Sequence, residues 1–306
     1  MTKRLFLHIG LPKTGSTSMQ KWFFDHKDAL QSSGCTYPTD PPLQLYKQGY
    51  VAATLRGRGG VATFERALCT ATSPDVLLSN EGLANHFHDF DPDTLAQFRT
   101  LTANMSVHLI GFHRAPDRWL RSYHRQAVLN PRNNASDLWG TTLSVGEIRT
   151  HIRVRRLLDH DRLAQDMADG FGAQAVHMFD FDKADAFARM LSVMGQSHLA
   201  HLPLPCINET VPDWAITLMR HINTQEADNP ARQVWKGLLF HFLDSNHTEL
   251  RNDARRLTPQ DLTLLNLDLL RDLPPDVPAE AIMAFAQKDF PARISDRPAP
   301  ADPIKP

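Results

Sequence analysis

The chain lacks any run approaching the roughly 18 apolar residues that a membrane-crossing helix needs. It also lacks an excess of either charge, with 33 Lys and Arg facing 34 Asp and Glu for a formal net charge of −1. A chain so balanced is not a general binder of nucleic acid, which requires a basic excess to displace counterions. Cysteine is scarce. The three present, Cys35, Cys69 and Cys206, lie far apart and form no CxxC. An odd number without close spacing argues against a disulfide framework or a zinc knuckle, and the expectation is free thiols in a reducing, cytoplasmic compartment. No internal repeat is visible, and low complexity is confined to the proline-rich tail 298–306, expected to be disordered. Lys3 and Arg4 ahead of Leu5-Phe6-Leu7-His8-Ile9 imitate the start of a signal peptide, but the apolar run is short and breaks at Gly10 without a cleavage site. Without a secretory signal, the N-x-S/T triplets at Asn104, Asn134, Asn208 and Asn246 carry no glycosylation message.

What is there is an ordinary globular composition, 42% hydrophobic and 22% charged. A chain of this size buries about 75% of its unfolded surface and needs no disulfide or structural metal for its core. Short apolar runs alternate with helical patterns in the first half. Leu5–Ile9, Val76–Leu78, Val107–Phe112 and Ala175–Phe179 read as buried strands. Met19, Trp22, Phe23, Ala29 and Leu30 recur at helical spacing before Gly34, and Trp119, Leu120, Tyr123 and Ala127 form a stripe on a helix that Pro116 opens. Strand–helix alternation implies parallel strands joined by right-handed crossovers, hence a three-layer α/β/α fold with a central parallel sheet. From about 206 the pattern is mostly helical. Trp214, Leu218 and Ile222 share one face, Trp235, Leu238, Leu239 and Phe242 another, and Thr258-Pro259 opens a third helix with Leu262, Leu265 and Leu269. The expected organisation is a single domain over 1–297, with an α/β core over about 1–205 and a helical extension over about 206–290. Residues 38–62 and 129–146 read as long loops, which in compact domains are functional or mobile.

The sharpest feature is His8-Ile9-Gly10-Leu11-Pro12-Lys13-Thr14-Gly15-Ser16-Thr17-Ser18, between the first strand and a helix. A glycine-bearing turn lets backbone N–H groups converge on an anion, and the helix behind it presents free N–H groups and the positive end of its dipole. Lys13 adds a full charge, and Ser16, Thr17 and Ser18 add hydroxyl donors. This is not the G-x-x-x-x-G-K-[ST] nucleotide loop, because Lys13 precedes Gly15 instead of following it. A second feature follows the third strand. His113-Arg114-Ala115-Pro116 puts an arginine at a strand's carboxyl end, where ligands of open α/β sheets bind, and Ser122 stands eight residues later. Arg114 can grip a phosphate by two parallel bonds while Ser122 adds a hydroxyl. Five arginines fall between 113 and 132, and a solvated basic helix accounts for Arg118, Arg121 and Arg125 equally well.

PKTGSTS behind a first strand and R-x7-S after a later one resemble the two cofactor motifs of sulfotransferases that use 3′-phosphoadenosine 5′-phosphosulfate. The resemblance implies a P-loop-like nucleotide-kinase-type fold. It also implies contact between Lys13 and the 5′-phosphosulfate, supported by Thr14, Gly15, Ser16, Thr17 and Ser18, with Arg114 and Ser122 on the 3′-phosphate. Gly34-Cys35-Thr36-Tyr37-Pro38 and Cys206-Ile207-Asn208-Glu209-Thr210 also resemble segments of bacterial members, and through this weaker likeness Asn208 and Thr210 are cofactor-contact candidates. The glycine-rich basic motif near the C-terminus of cytosolic members is missing. So is their K-x3-T-V-x3-E dimer motif, since Cys206 and Ala215 replace its charged ends. The chain is therefore more similar to the bacterial and carbohydrate-directed branches, and its oligomeric state is open.

Sulfuryl transfer needs in-line positioning and neutralisation of leaving-group charge. Lys13 suits the second task without a metal, and no metal ligand set is assigned. A base must take the acceptor's proton. Glu81 in Leu77-Leu78-Ser79-Asn80-Glu81-Gly82 stands just past a buried strand, and some carbohydrate-directed sulfotransferases resemble this in using a glutamate. As an alternative, Glu81 is simply a carboxylate favoured at a helix N-terminus. His86 and His88 are the other candidate bases. The expected acceptor is a hydroxyl or amine, on a small molecule or a saccharide. Lys47, Arg56, Arg58 and Arg132 would suit an anionic saccharide, as they would suit a solvated loop. The competing readings are a related nucleotide kinase and a non-catalytic binder of adenosine bisphosphate.

Overall fold

A computed structural model describes residues 2–39, 46–58, 61–132, 136–205, 211–225, 228–246, 260–271 and 273–289. The chain divides into two compact units, one of residues 1–123 and 145–207, the other of 124–144 and 208–306.

The first unit is α/β. In order it runs β1 (Lys3–His8), α1 (Ser16–Asp25), α2 (Lys27–Ser32), β2 (Cys35–Thr36), α3 (Gly49–Leu55), α4 (Ala62–Cys69), β3 (Asp75–Ser79), α5 (Gly82–Asn85), α6 (Pro92–Leu101), β4 (Met105–His113) and the start of α7 (Pro116–Leu129). It resumes with α8 (Val145–Thr150), α9 (Ile152–Leu158), α10 (His160–Phe171), β5 (Ala175–Asp180) and α11 (Ala186–Val193). All five strands are parallel, in the order β2-β3-β1-β4-β5.

Burial explains which runs sit centrally. β3 is buried at every position, as a near-continuous apolar strand covered on both faces must be. The edges are short or polar: β2 has two residues, and β5 exposes Val176 and carries His177. The side chains at Phe6, Leu77, Ile110, Phe112 and Phe179 share one face and pack with Met19, Trp22 and Phe23 of α1, Leu30 of α2 and Met190 and Leu191 of α11. The four strands expected from apolar runs are all present. The two N-terminal cations serve the fold. Lys3 donates to the carbonyls of Leu68 and Ala71 at the end of α4 (2.9 Å each), and Arg4 pairs with Asp75. Cations suit a helix C-terminus, where carbonyls are left without partners.

The second unit is helical, with the end of α7, α12 (Asp213–Gln225), α13 (Asn229–Asn246) and α14 (Ala279–Ala284) around Leu218, Ile222, Trp235, Leu238 and Leu239. Two expectations are corrected. Residues 38–62 are not one long loop, because Val51, Ala52, Thr54 and Leu55 bury one face of α3. The third C-terminal helix is replaced by two short 3₁₀ turns, Asp261–Leu264 and Leu267–Leu270, broken where the Asn266 side chain accepts from the Asp268 N–H and starts the second turn. Thr258-Pro259 and the tail 298–306 lie outside the described residues. No helix among the described residues is long and apolar enough to cross a membrane.

One polar residue of β1 carries a consequence for stability. His8 is fully buried, with its Nδ1 2.7 Å from Ser79 Oγ, and burial pushes its pKa from 6.5 down to about 4. The unfolded chain therefore binds a proton near pH 6.5 that the folded chain refuses. Stability is full above that pH and declines as the pH falls towards 4. Between pH 7 and pH 5 this single residue accounts for a loss of about 2 kcal/mol. Urea titrations at the two pH values should show the drop, and His8→Gln should flatten it. A wild-type midpoint unchanged between pH 7 and 5 would count against the buried neutral imidazole.

Candidate functional site

In parallel sheets every strand opens its carboxyl end on the same edge, and here four loops meet there. The chain leaves β1 towards β2 and β3 on one side and leaves β4 towards β5 on the other. Adjacent strands whose connections diverge in this way leave a crevice, the usual ligand position of an open α/β sheet. The loop after β1 carries Lys13, the loop after β3 carries Glu81, the loop after β4 carries Arg114, and the turn after β5 carries Phe181 and Asp182.

The loop after β1 is built from unusual backbone. Gly10 and Gly15 have φ of 37° and 75°, and Lys13 has φ of 69°, the single positive φ at a non-glycine among the described residues. Any residue with a Cβ holds that conformation at a cost of about 1–3 kcal/mol, and such positions cluster at ligand clamps. The loop leaves no room for substitution. A Cβ on Gly10 would stand 2.6 Å from Ser16 Oγ and 3.5 Å from Glu81 Cα, and one on Gly15 would stand 2.5 Å from Phe181 Cε2. The start of the loop, the first residue of α1 and the backbone of Glu81 therefore meet at Gly10. Two side chains hold the loop closed. The Thr14 hydroxyl donates to the Leu11 carbonyl (2.7 Å), and Trp119 Nε1 donates from α7 to the Pro12 carbonyl (2.7 Å).

Ser16 is 3% exposed, and its Oγ is buried without a hydrogen-bond partner. A buried hydroxyl left unmatched costs about 1–3 kcal/mol. Beneath two positive-φ glycines and at the N-terminus of a ten-residue helix, that hydroxyl suits an anionic oxygen. Thr17 and Ser18 are half-buried in the first turn of α1. The Thr14 hydroxyl is engaged inside the loop.

Arg114 is braced from two sides. Its guanidinium lies over the Phe181 ring (5.4 Å to the centroid), and its Nε donates to Asp182 Oδ1 (3.0 Å). Arg118 reaches the other Asp182 oxygen at 3.4 Å. Phe181 in turn covers Gly15, so Arg114, Phe181 and the lysine loop form one contiguous stack. Ser122 is half-buried one turn beyond Trp119 on α7. Arg114 stands two residues before α7 and Ser122 midway along it, and the side-chain bonds of the arginine go to Asp182.

Glu81 is held through its neighbours. The Asn80 N–H donates to the His8 carbonyl (3.1 Å), Asn80 Nδ2 to the Gln48 carbonyl (2.7 Å), and the Gly82 N–H to Asn80 Oδ1 (2.7 Å). Glu81 itself is half-buried at the N-terminal side of α5. The histidines are placed otherwise. His86 Nδ1 lies 3.2 Å from Asp89 Oδ2, its Nε2 lies 3.3 Å from Asn85 Nδ2, and burial followed by the charge of Arg56 pushes its pKa to about 4. Both ring nitrogens are engaged, so His86 is neutral at pH 7 with no lone pair spare for an acceptor. His88 is exposed beyond it. Asn208 and Thr210 lie outside the described residues.

Sequence reading missed Phe181, Asp182 and the Trp119 anchor. The first two directly follow a strand that was recognised, so their position at the shared sheet edge was the available signal. Comparison with protein-family models, with curated proteins and with solved structures gives no match for this chain.

Proposed function

We propose that the chain is a sulfotransferase that moves the sulfuryl group of 3′-phosphoadenosine 5′-phosphosulfate to a hydroxyl or amine of an acceptor, a saccharide among the candidates, on a P-loop-like sulfotransferase fold. The observation that carries this reading is the convergence at one sheet edge of a left-handed Lys13, the unpartnered Ser16 hydroxyl and an arginine stacked through Phe181 on the same loop. The donor supplies an activated sulfuryl group. Ser16 Oγ and the N–H groups opening α1 would hold its 5′ end, and Arg114 with Ser122 its 3′-phosphate. Lys13 neutralises the phosphate oxygen as its bond to sulfur breaks. Glu81 takes the proton of the acceptor as the new bond to sulfur forms. The placement of His86 favours Glu81 over it for that task. A cytoplasmic location belongs to the same reading, with the free thiols of Cys35 and Cys69 in its support.

The 3′-phosphate assignment has a direct test. Arg114→Ala should weaken binding of 3′-phosphoadenosine 5′-phosphate by about 10- to 100-fold, the worth of a charge-assisted pair, and leave 5′-AMP within about twofold. Calorimetry on both ligands gives the comparison. Equal losses for the two nucleotides would remove Arg114 from the 3′-phosphate.

A further inference from the structure

Glu81 follows a strand end that has lost its outer neighbour. Along β3, alternate residues turn their backbone groups to opposite sides. The Asp75 N–H donates to the Gly34 carbonyl on the β2 side (3.2 Å), and the Asn80 N–H donates to the His8 carbonyl on the β1 side (3.1 Å). Ser79 therefore faces the β2 side, but β2 stops at Thr36, opposite Val76. A buried strand residue with no strand beside it must find other partners for its N–H and carbonyl. Ser79 is fully buried and finds them on two glutamine side chains. Its N–H donates to Gln48 Oε1 (2.6 Å), and its carbonyl accepts from Gln20 Nε2 of α1 (3.4 Å). Two side-chain amides thus replace the missing strand and carry β3 on to the residue two before Glu81.

Gln48, immediately ahead of α3, is the centre of this arrangement. Besides accepting from Ser79, its side chain donates through Nε2 to the Pro38 carbonyl (2.7 Å), and its own carbonyl accepts from Asn80 Nδ2 (2.7 Å). The orientation of the amide is fixed, because a flipped amide would set its N–H groups against the Ser79 N–H and its oxygen against the Pro38 carbonyl. Asn80 extends the hold past Glu81, since its Oδ1 accepts from the Gly82 N–H (2.7 Å). Ala52, one turn into α3, lies within 2.9 Å of where a Cβ on Gly82 would stand. The residues on both sides of Glu81 therefore hang from one glutamine and the helix behind it. Gln48 is 0% exposed, which puts it out of reach of donor and acceptor alike.

We infer that Gln48 is a positioning residue of the transfer reaction, one that acts through Glu81 by clamping Ser79 and Asn80 ahead of it, with Gln20 as its weaker partner. The inference rests on the proposed reaction with Glu81 as base and deepens it. A base works only where its oxygen meets the acceptor's proton, and a misplacement of about 1 Å costs on the order of 10²-fold in rate. Without the Gln48 amide, the Ser79 N–H faces an unfilled side of the sheet, and the turn bearing Glu81 loses one of its two ties to α3.

The test follows labelled sulfuryl transfer by the full chain to a panel of saccharides and amines that includes methyl β-glucoside, glucosamine and tyramine. Gln48→Met keeps the length of the side chain and removes both of its bonds. It should lower kcat about 10- to 100-fold and leave the donor KM within about twofold. In a Glu81→Gln background the same change should cost less than about threefold, because a base already removed cannot be misplaced. Gln48→Glu, whose buried carboxyl in its neutral form offers an oxygen to Ser79 and an O–H to Pro38, should recover most of the loss. Gln20→Met, which removes the longer bond, should cost less than Gln48→Met. If Gln48→Met does not fold, Gln48→Asn, one methylene short of both partners, carries the same comparison. Amide exchange read by NMR follows the clamp itself: the Ser79 N–H should be protected in wild type and exchange about tenfold or more faster in the Gln48 variant. Equal losses with Glu81 present and absent, an unchanged kcat, or a Ser79 amide unprotected in wild type overturns the inference. Absence of transfer by wild type to every acceptor, with Ser79 protected, overturns the transfer reading instead, and with it the base that Gln48 would serve.

Discussion

Lys13→Ala is expected to lower turnover about 10³-fold or more, the scale on which one preorganised group facing transition-state charge contributes. The loss should fall on turnover and much less on affinity for the bisphosphate product, which in the proposed reading Ser16, the opening of α1 and Arg114 would also hold. Backbone geometry makes a second substitution more informative. Lys13 has φ of 69°, a region that disfavours every side chain and that glycine enters freely. Lys13→Gly should therefore be as inactive as Lys13→Ala yet unfold at equal or higher denaturant, with a gain of up to about 1 kcal/mol from released strain offset in part by the entropy of the unfolded glycine. Lys13→Ala keeps the strain and should be no more stable than wild type. Such a division, with the more stable variant inactive, is what a residue held in place for chemistry produces. Near-normal turnover in either variant would take Lys13 out of the reaction.

Glu81→Gln is expected to lower transfer by about 10²- to 10⁴-fold, the range of a lost general base. The amide matches the carboxylate in shape, and the Asn80 side chain fixes the backbone on both sides through Gln48 and Gly82, so the local fold should persist. Bisphosphate affinity should stay within about twofold. His86→Asn is the companion measurement. It should cost stability through the Asp89–Arg153 network and leave the pH dependence of transfer in place. A transfer rate that survives Glu81→Gln but disappears with His86→Asn would reverse the assignment of the base.

How much of this was legible beforehand depended on the range of the interaction. β3 and β4 announced themselves because a strand covered on both faces must be apolar along its length. β2 did not, because two residues at a sheet edge have no periodicity to read. Lys13 and Arg114 were legible as motif positions, since a glycine-bearing turn before a helix and an arginine at a strand end are local patterns. The left-handed backbone of Lys13 was not, because nothing in PKTGSTS distinguishes the lysine's φ from that of its neighbours. Asp182 as a partner of Arg114 and Phe181 as the cover of Gly15 required the knowledge that β5 pairs with β4. α3 was hidden by the glycines and arginines that follow it, although its buried stripe is plain once the fold is known. Arg153 reaches the Asn85 carbonyl at the end of α5 across 68 positions of sequence, a distance that no local pattern spans.

The most direct test of the central claim is a transfer assay with donor labelled in its sulfuryl group, run without added metal against a panel of neutral and anionic saccharides and amines and read by mass. The account predicts an acceptor that gains one sulfuryl group and stoichiometric release of 3′-phosphoadenosine 5′-phosphate, both lost in Lys13→Ala. Phosphoryl transfer from ATP and magnesium, with no sulfuryl transfer to any acceptor and no binding of the bisphosphate, would contradict it.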